Sequence, residues 1–321
     1  MKKIAVLADY LEPSHHALID STAARCGFAV DYYPDCRVPA ELAGTYEVVH
    51  GMPKPGDLKA FTGMKWFCGS FAGVDAYLDD ALYPSPEVML SNSSGTYGVT
   101  IAEHLIMVTL MLLRHAPAYL HHADAHRWGP VMPMRSIIGS TITVLGTGDI
   151  GTEFARRAKA MGAKEIRGVR RTKKAADPAF DGVYTHAELD SLLPDTDILV
   201  MALPSTADTV GILSRDRIAL LPETAYVVNV GRGTAIDQSA LVEALNAGKL
   251  AGAALDVFEK EPIPAGDPVW DAKNLLITPH ISGQMSLGYT RDKNVALFCE
   301  DLENYAAGRP LKRYVDRKIG Y

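Results

Sequence analysis

Eight residues restrict what this chain can become more than any others: Val144-Leu145-Gly146-Thr147-Gly148-Asp149-Ile150-Gly151. The run before them, Thr141-Ile142-Thr143-Val144, is apolar and β-branched, which predicts a buried strand. In the run after them, residues 152–162, Phe154, Ala155, Ala158 and Met161 fall on one helical face. Strand, glycine turn and helix in that order bring backbone amides close to an anion. Gly146 permits the tight turn, Gly148 leaves the amides reachable, and Gly151 lets the helix close on the strand. The helix N-terminus then presents partial positive charge to a phosphate. Methyltransferases also carry a GxGxxG loop. The strand–loop–helix context favours a nicotinamide dinucleotide, with Asp149 and Ile150 in the same loop.

Strand-like and helical runs alternate along nearly all of the 321 residues, the pattern of an α/β parallel-sheet protein. The first series of strands reads as Ile4–Ala8, Ala29–Tyr32, Val48–His50, Trp66–Cys68 and Val88–Leu90, with short helices at His15–Cys26 and Asp57–Phe61. The second reads as Ile142–Leu145, Glu165–Val169, Ile198–Ala202, Ala225–Val230, Ala251–Asp256 and Leu275–Thr278. A long apolar helix, Thr100–Leu113, separates the two series, and its stripe of Ile101, Leu105, Val108 and Leu112 predicts core packing. The polar, His-rich stretch Arg114–Met134 breaks the rhythm and reads as a surface arm or dimer contact. A last helix, Asn294–Tyr305, follows the final strand and is expected to pack on the first domain. The resulting division is a substrate-binding domain of residues 1–98 plus 286–321 and a dinucleotide-binding domain of residues 99–285.

Composition narrows the function classes. With 48% apolar and 22% charged residues and a formal charge of −6, bulk binding to nucleic acid or to an anionic membrane is not expected. No apolar run reaches the roughly 18–20 residues of a membrane span. The N-terminal Ile4–Ala8 run is broken by Asp9 and reads as a first strand rather than a leader. Cys26, Cys36, Cys68 and Cys299 form no CxxC pair, which fits free thiols in a reducing cytoplasm. His122 and His126 have a helical ligand spacing, as part of a run with His115 and His121. No carboxylate or thiol completes a set, so no metal site is expected.

Polar groups appear where three apolar strands of the second series end. Arg232 lies in Val227-Val228-Asn229-Val230-Gly231-Arg232-Gly233, placed for a two-bond clamp on a carboxylate. Asp256 and Glu261 lie in Ala254–Pro262, and His280 in Leu276–Gly283. Ligands of open α/β sheets bind beyond strand carboxyl ends. A hydride delivered to a carbonyl needs a proton donor for the developing alkoxide, and a histidine supported by a carboxylate meets that need at neutral pH.

These segments, with Ala72-Gly73-Val74-Asp75, Ala102-Glu103-His104 and Leu203-Pro204-Ser205-Thr206, run in the order seen in the D-isomer-specific 2-hydroxyacid dehydrogenases, which the chain resembles over essentially its whole length. The resemblance implies two Rossmann-like, doubly wound parallel-sheet domains with a cleft between them. It implies that Arg232 binds the substrate's carboxylate and keto oxygen, that His280 is the general acid/base, and that Glu261 hydrogen-bonds to it. Asp256 would lie near the nicotinamide carboxamide, and Leu203, Pro204, Ser205, Val230, Gly231 and Gly283 around the cofactor. Ala72, Gly73 and Val74 would cradle the substrate carboxylate with backbone amides, with His50-Gly51-Met52 and Tyr97 lining the same pocket. Trp128 would lie in the arm exchanged between subunits of a homodimer, as a buried contact rather than a part of the neighbour's pocket.

Where an NAD-preferring site carries an acid, this chain has Arg170, followed by Arg171, Thr172, Lys173 and Lys174. Guanidinium groups attract the ribose phosphate that a carboxylate would repel, so NADP is the expected cofactor and NAD the alternative. The small residues of the first domain suit a short 2-oxo acid such as glyoxylate or hydroxypyruvate. An NAD-linked D-2-hydroxyacid dehydrogenase, including a phosphoglycerate dehydrogenase-like enzyme, is one rival reading. The absence of sequence beyond residue 321 argues against the long allosteric form of that enzyme. A dinucleotide-sensing binding protein of the same fold is a second rival.

Overall fold

The structure, a computed structural model, describes residues 1–173 and 177–321. Lys174, the last member of the basic run, lies outside the described residues. The chain divides into two compact units, Met1–Tyr97 with Gln284–Tyr321, and Gly98–Gly283.

The first unit opens with β1 (Lys2–Leu7), α1 (Pro13–Arg25), β2 (Phe28–Tyr32), the single-turn α2 (Ala40–Ala43), β3 (Val48–Gly51), β4 (Trp66–Gly69) and β5 (Met89–Ser91). All its strand pairs are parallel, in the order β2-β1-β3-β4-β5. Because successive strand residues face opposite sides, the alternation sorts the core into two layers. Ile4, Val6, Trp66 and Cys68 belong to one buried cluster; Ala5, Leu7, Val49 and Phe67 belong to the other.

The second unit contains α3 (Gly98–Leu113), α4 (Ala116–Asp124), β6 (Thr141–Leu145), α5 (Asp149–Ala160), β7 (Glu165–Arg170), β8 (Gly182–Thr185), α6 (Leu189–Leu192), β9 (Ile198–Met201), α7 (Arg215–Leu220), β10 (Tyr226–Asn229), α8 (Gln238–Asn246), β11 (Gly252–Leu255) and β12 (Leu275–Ile277). Its seven strands are parallel, in the order β12-β11-β10-β9-β6-β7-β8. The strand order reverses on either side of β6, and at such a switch point the loops leave in opposite directions and open a crevice. Ile101, Leu105, Val108 and Leu112 of α3 are all buried, as their spacing predicts.

The chain then returns to the first unit as α9 (Gly288–Ala306). Val295, Phe298 and Leu302 of α9 join Ile19 and Ala23 of α1 and Trp66 of β4 in one cluster, and Phe298 lies 5.8 Å from the Trp66 ring. A buried aromatic of this kind stabilises by about 3–5 kcal/mol against truncation to alanine.

Several expectations need correction. The last helix begins at Gly288 rather than Asn294 because tertiary contacts hold its polar first turn: Arg291 pairs with Glu12 at 3.0 Å and Asp292 with His15 at 2.8 Å. Helix α5 starts at Asp149 rather than residue 152. In place of the expected helix Asp57–Phe61 stands a 3-10 turn, Pro55–Ala60, with Phe61 just past its end. The second sheet has a strand, β8, that the sequence pattern did not announce; all four of its residues are only half-buried. Within the interrupting stretch lies a helix, α4, that buries none of its residues in this chain. No single helix among the described residues is long and apolar enough to cross a membrane.

Candidate active site

One transverse row fixes the geometry of the second unit. Ile277, Leu255, Asn229, Met201, Leu145, Val169 and Tyr184 stand side by side in register across all seven strands. Every cofactor-binding and catalytic residue expected from the sequence in this unit follows that row within six positions along its own strand and loop. The sheet therefore brings them to one edge.

At the centre of the row, β6 is wholly buried and ends in the glycine loop. Gly146 has φ +102°, and a Cβ there would lie 2.5 Å from the carbonyl oxygen of Ala202. A Cβ on Gly151 would lie 1.9 Å from the carbonyl oxygen of Gly146, so any side chain would force the helix off the strand. Gly148, the N-cap of α5, faces open space, with nothing within 4 Å of its would-be Cβ, and no side chain caps this helix start. Reachable amides, room at the middle glycine and a helix N-terminus fit the pyrophosphate of a dinucleotide. The Asp149 carboxylate packs against Gly98, where a Cβ would come within 2.4 Å of it. Ile150 is half-buried.

The flanking loops extend this cradle. Leu203 is buried and Pro204 exposed. Thr209 Oγ1 holds their turn by donating to the Pro204 carbonyl at 2.7 Å and accepting from the Thr206 amide at 2.8 Å. A Cβ on Gly231 would meet the Leu203 amide at 2.6 Å, so the loops after β9 and β10 press together. On the other side of β6, Arg170 ends β7 opposite Thr185, with Arg171 and Thr172 exposed just beyond. No acid stands at these three positions.

Beyond β10, β11 and β12 lie the polar groups. Asn229, buried at the end of β10, accepts from the Gly231 amide through Oδ1 at 2.9 Å and donates through Nδ2 to the Arg232 carbonyl at 2.9 Å. That pair of bonds shapes the turn that carries Arg232, whose Nη1 donates to the Gly231 carbonyl at 2.7 Å. After β11, Glu261 accepts from the Phe258 amide through Oε1 at 2.9 Å and from His280 Nδ1 through Oε2 at 2.6 Å. With Nδ1 donating to a carboxylate, the ring orientation is fixed and proton transfer falls to Nε2. His280 is half-exposed and has φ +52°, a left-handed conformation that costs a non-glycine residue about 1–2 kcal/mol. Such strain persists only where surrounding contacts over-determine it. Asp256, 2% exposed, supplies them by accepting from Thr278, Ile281 and Ser282. Burial alone would raise its carboxyl, but the bonds from Ser282, Thr278 and the Ile281 amide hold it below the ordinary carboxylate range, so it stays ionised. Ser282 is buried and Gly283 half-buried, at the end of the same loop.

In the first unit, Asn92 Nδ2 donates to the Ala72 carbonyl at 2.7 Å and Ser93 N to the Phe71 carbonyl at 2.9 Å. These bonds hold the Ala72-Gly73-Val74 loop. Among the described residues, its three amides donate to no acceptor within the chain. His50 departs from its expected place along a pocket. It is fully buried, stacked on Phe298 at 4.0 Å, and bonded through Nδ1 to the Cys68 carbonyl. Tyr97 is likewise turned inward, donating to the Ser70 carbonyl at 2.5 Å. His115 bonds to the Pro133 carbonyl and His121 to the Pro117 carbonyl. Among the described residues no group of three or more His, Cys, Asp or Glu could hold a metal ion.

Sequence reasoning missed the support given by Asn229, Thr278 and His104. Asn229 left one signal, an amide at the end of an otherwise apolar buried strand, where an unpartnered polar group would be costly.

Known proteins resemble this chain over most of its length. Residues 106–282 match the family model described as D-isomer specific 2-hydroxyacid dehydrogenase, NAD binding domain. A glyoxylate/hydroxypyruvate reductase A of Klebsiella pneumoniae (strain 342) is 32% identical over 257 residues, covering 78% of this chain and 80% of that protein. The crystal structure of a D-isomer specific 2-hydroxyacid dehydrogenase from Xanthobacter autotrophicus Py2, in complex with NADPH and MES, has a TM-score of 0.82 at 28% identity, covering 100% of this chain and 99% of that one. An NADPH-dependent glyoxylate/hydroxypyruvate reductase from Sinorhizobium meliloti, in complex with NADP and sulfate, has a TM-score of 0.82 at 27% identity, with 100% of both chains covered. The chain belongs to the D-isomer specific 2-hydroxyacid dehydrogenase family and is an NAD(P)-dependent oxidoreductase.

Proposed function

We propose that this protein reduces a short 2-oxo acid, such as glyoxylate or hydroxypyruvate, to the D-2-hydroxy acid, with NADPH as the preferred reductant. The observation that carries the proposal is the single row of strand ends, beyond which the glycine cradle, Arg170, Arg232 and the Glu261–His280 pair all emerge.

When bound, NADPH would supply the hydride for the carbonyl carbon. The protein does the rest. The amides around Gly148 hold the pyrophosphate, while Arg170, Arg171 and Thr172 take the ribose phosphate. Arg232 binds the substrate carboxylate and draws charge toward the carbonyl oxygen, and in the other unit the amides of Ala72, Gly73 and Val74 are donors suited to a carboxylate. His280 Nε2 gives its proton to the developing alkoxide and Glu261 stabilises the ring's cationic form, so one hydride and one proton make the alcohol. In this reading the unit Gly98–Gly283 is the dinucleotide domain and the unit Met1–Tyr97 with Gln284–Tyr321 the substrate domain.

Exposed Leu120, Trp128, Met132 and Ile138 in and after α4 support a homodimer with this arm as the contact. Four unpaired cysteines support a reducing, cytoplasmic setting.

The test follows loss of reduced-nicotinamide absorbance, with NADPH and NADH separately, against glyoxylate, hydroxypyruvate, pyruvate and bulkier 2-oxo acids. The expected kcat/KM with NADPH exceeds that with NADH by about tenfold or more, and Arg170→Glu reverses the order. A wild-type preference for NADH would overturn the phosphate pocket; failure of every 2-oxo acid would overturn the reductase itself.

A further inference from the structure

The loop that carries His280 is tied at five points to the end of β11. The Asp256 carbonyl accepts from the His280 amide at 2.9 Å and the Leu255 carbonyl from the Thr278 amide at 3.0 Å. Asp256 Oδ1 accepts from Thr278 Oγ1 at 2.6 Å and from the Ile281 amide at 3.0 Å, and Oδ2 accepts from the Ser282 amide at 3.0 Å. A threonine hydroxyl has one proton, and here it goes to Asp256. At 3.4 Å from Thr278 Oγ1 lies Nε2 of His104, carried by α3. Since Oγ1 has already given its proton away, it accepts, and His104 must hold the Nε2–H tautomer. Burial pushes the His104 imidazole below its ordinary range, against the opposing pull of Asp256, so the ring is neutral at neutral pH and can adopt that tautomer.

We propose that His104, Thr278 and Asp256 form a line of positioning residues that clamps His280 in its left-handed backbone conformation and so aims its ring at Glu261. Direction runs along the line: His104 gives to Thr278, Thr278 to Asp256, and Asp256 receives the amides on the far side of His280. Released from the clamp, the backbone at His280 relaxes toward negative φ and its ring swings away from Glu261 Oε2. Neither His104 nor Thr278 touches the reacting atoms in this scheme. The inference rests on the reading of His280 as proton donor.

The test compares Thr278→Val, which keeps the shape and removes the hydroxyl, with Thr278→Ser, which restores it. His280→Ala is the control. Each protein is assayed with NADPH and glyoxylate, NADPH affinity is measured by fluorescence titration, and amide hydrogen exchange is followed at Ile281 and Ser282. Thr278→Val is expected to lower kcat about tenfold or more, since small misplacements of a catalytic group are costly. The KM for glyoxylate and the Kd for NADPH stay within about twofold, and exchange at the two amides accelerates. Thr278→Ser returns all of these toward wild type. His104→Leu is expected to fall in the same direction by about threefold and His104→Gln, whose amide can donate, to recover; this pair carries the contrast should Thr278→Val not fold.

If His280→Ala is inactive while Thr278→Val keeps the wild-type kcat, the clamp is overturned and the reading of His280 stands. If Thr278→Val loses NADPH affinity instead of kcat, Thr278 belongs to the cofactor site and the positioning role is overturned. Undiminished turnover by His280→Ala would remove the reading of His280, and the clamp's purpose with it.

Discussion

Beyond β3 and β4 the smaller sheet is sealed by its own polar groups, whereas beyond β10, β11 and β12 the larger sheet presents them. Tyr10 donates to Asn294 Oδ1 at 2.8 Å and lies 2.8 Å from Ser70 Oγ, Asn294 donates to Ser93, and Ser93 to the Gly69 carbonyl. At the turn leaving β3, a Cβ on Gly51 would strike the Leu7 carbonyl at 2.0 Å, so the backbones leaving β1 and β3 pack closely. In the loop leaving β6 of the larger sheet, Gly148 faces open space. Both sheets are parallel and both place β-strand ends along one edge. The difference lies in the few residues past each strand, so a shared topology does not by itself make a reactive site. In the smaller sheet the exception is the Ala72–Val74 loop, which offers backbone amides and no charge.

Four experiments break or sharpen that contrast. The largest effect is expected at the open edge: His280→Ala should lower kcat by about 10²–10⁴-fold, the usual worth of a general acid, with NADPH affinity unchanged. Steady-state rates beside a fluorescence titration decide it, and equal losses in both would count against the assigned role. Arg232→Gln should follow, lowering kcat/KM for glyoxylate by on the order of 10²-fold as charge-assisted bonds to the carboxylate are lost. A variant with full kcat/KM would place carboxylate recognition elsewhere.

The third acts on the sealed edge and on stability. Burial pushes the His50 imidazole down to about 4. Its folded value lies below its unfolded one, so the unfolded state binds the proton first and stability falls as pH drops from about 6.5 toward 4. About 2 kcal/mol should disappear between pH 7 and pH 5. His50→Leu should flatten that limb in urea unfolding curves, and an unchanged limb would exclude His50 as its source. The smallest effect is expected at Asn92→Ala, which frees the Ala72 carbonyl. KM for glyoxylate should rise a few-fold, about 1 kcal/mol, with kcat nearly constant. No change in KM would detach this loop from substrate binding.

Local chemistry was legible in the chain; distant partners were not. The glycine loop announced itself because β-branched residues, three glycines and an amphipathic run lie within about twenty positions. His280, Glu261 and Arg232 could be picked out because each stands just past an apolar run. His50 resembles them in sequence, a histidine at the end of a strand, yet Phe298 arrives from 248 positions later and stacks upon it. Likewise Thr278 reads as an ordinary strand-end residue until His104, 174 positions earlier, is seen against its hydroxyl. Strand β8 escaped notice because four half-buried residues give too short a pattern to alternate. The first turn of α9 did so because its stability comes from Glu12 and His15 rather than from its own residues.

The return of α9 also orders events on the ribosome. The unit Gly98–Gly283 is a continuous stretch, and all its strands have been synthesised before α9 exists. The unit that begins at Met1 waits with its β4 tryptophan uncovered, because Val295, Phe298 and Leu302 are made last. The domain whose translation starts first is thus the one that finishes folding second. Through that interval its apolar sheet face is the natural client surface for a chaperone, and a premature stop before Gly288 leaves it permanently open.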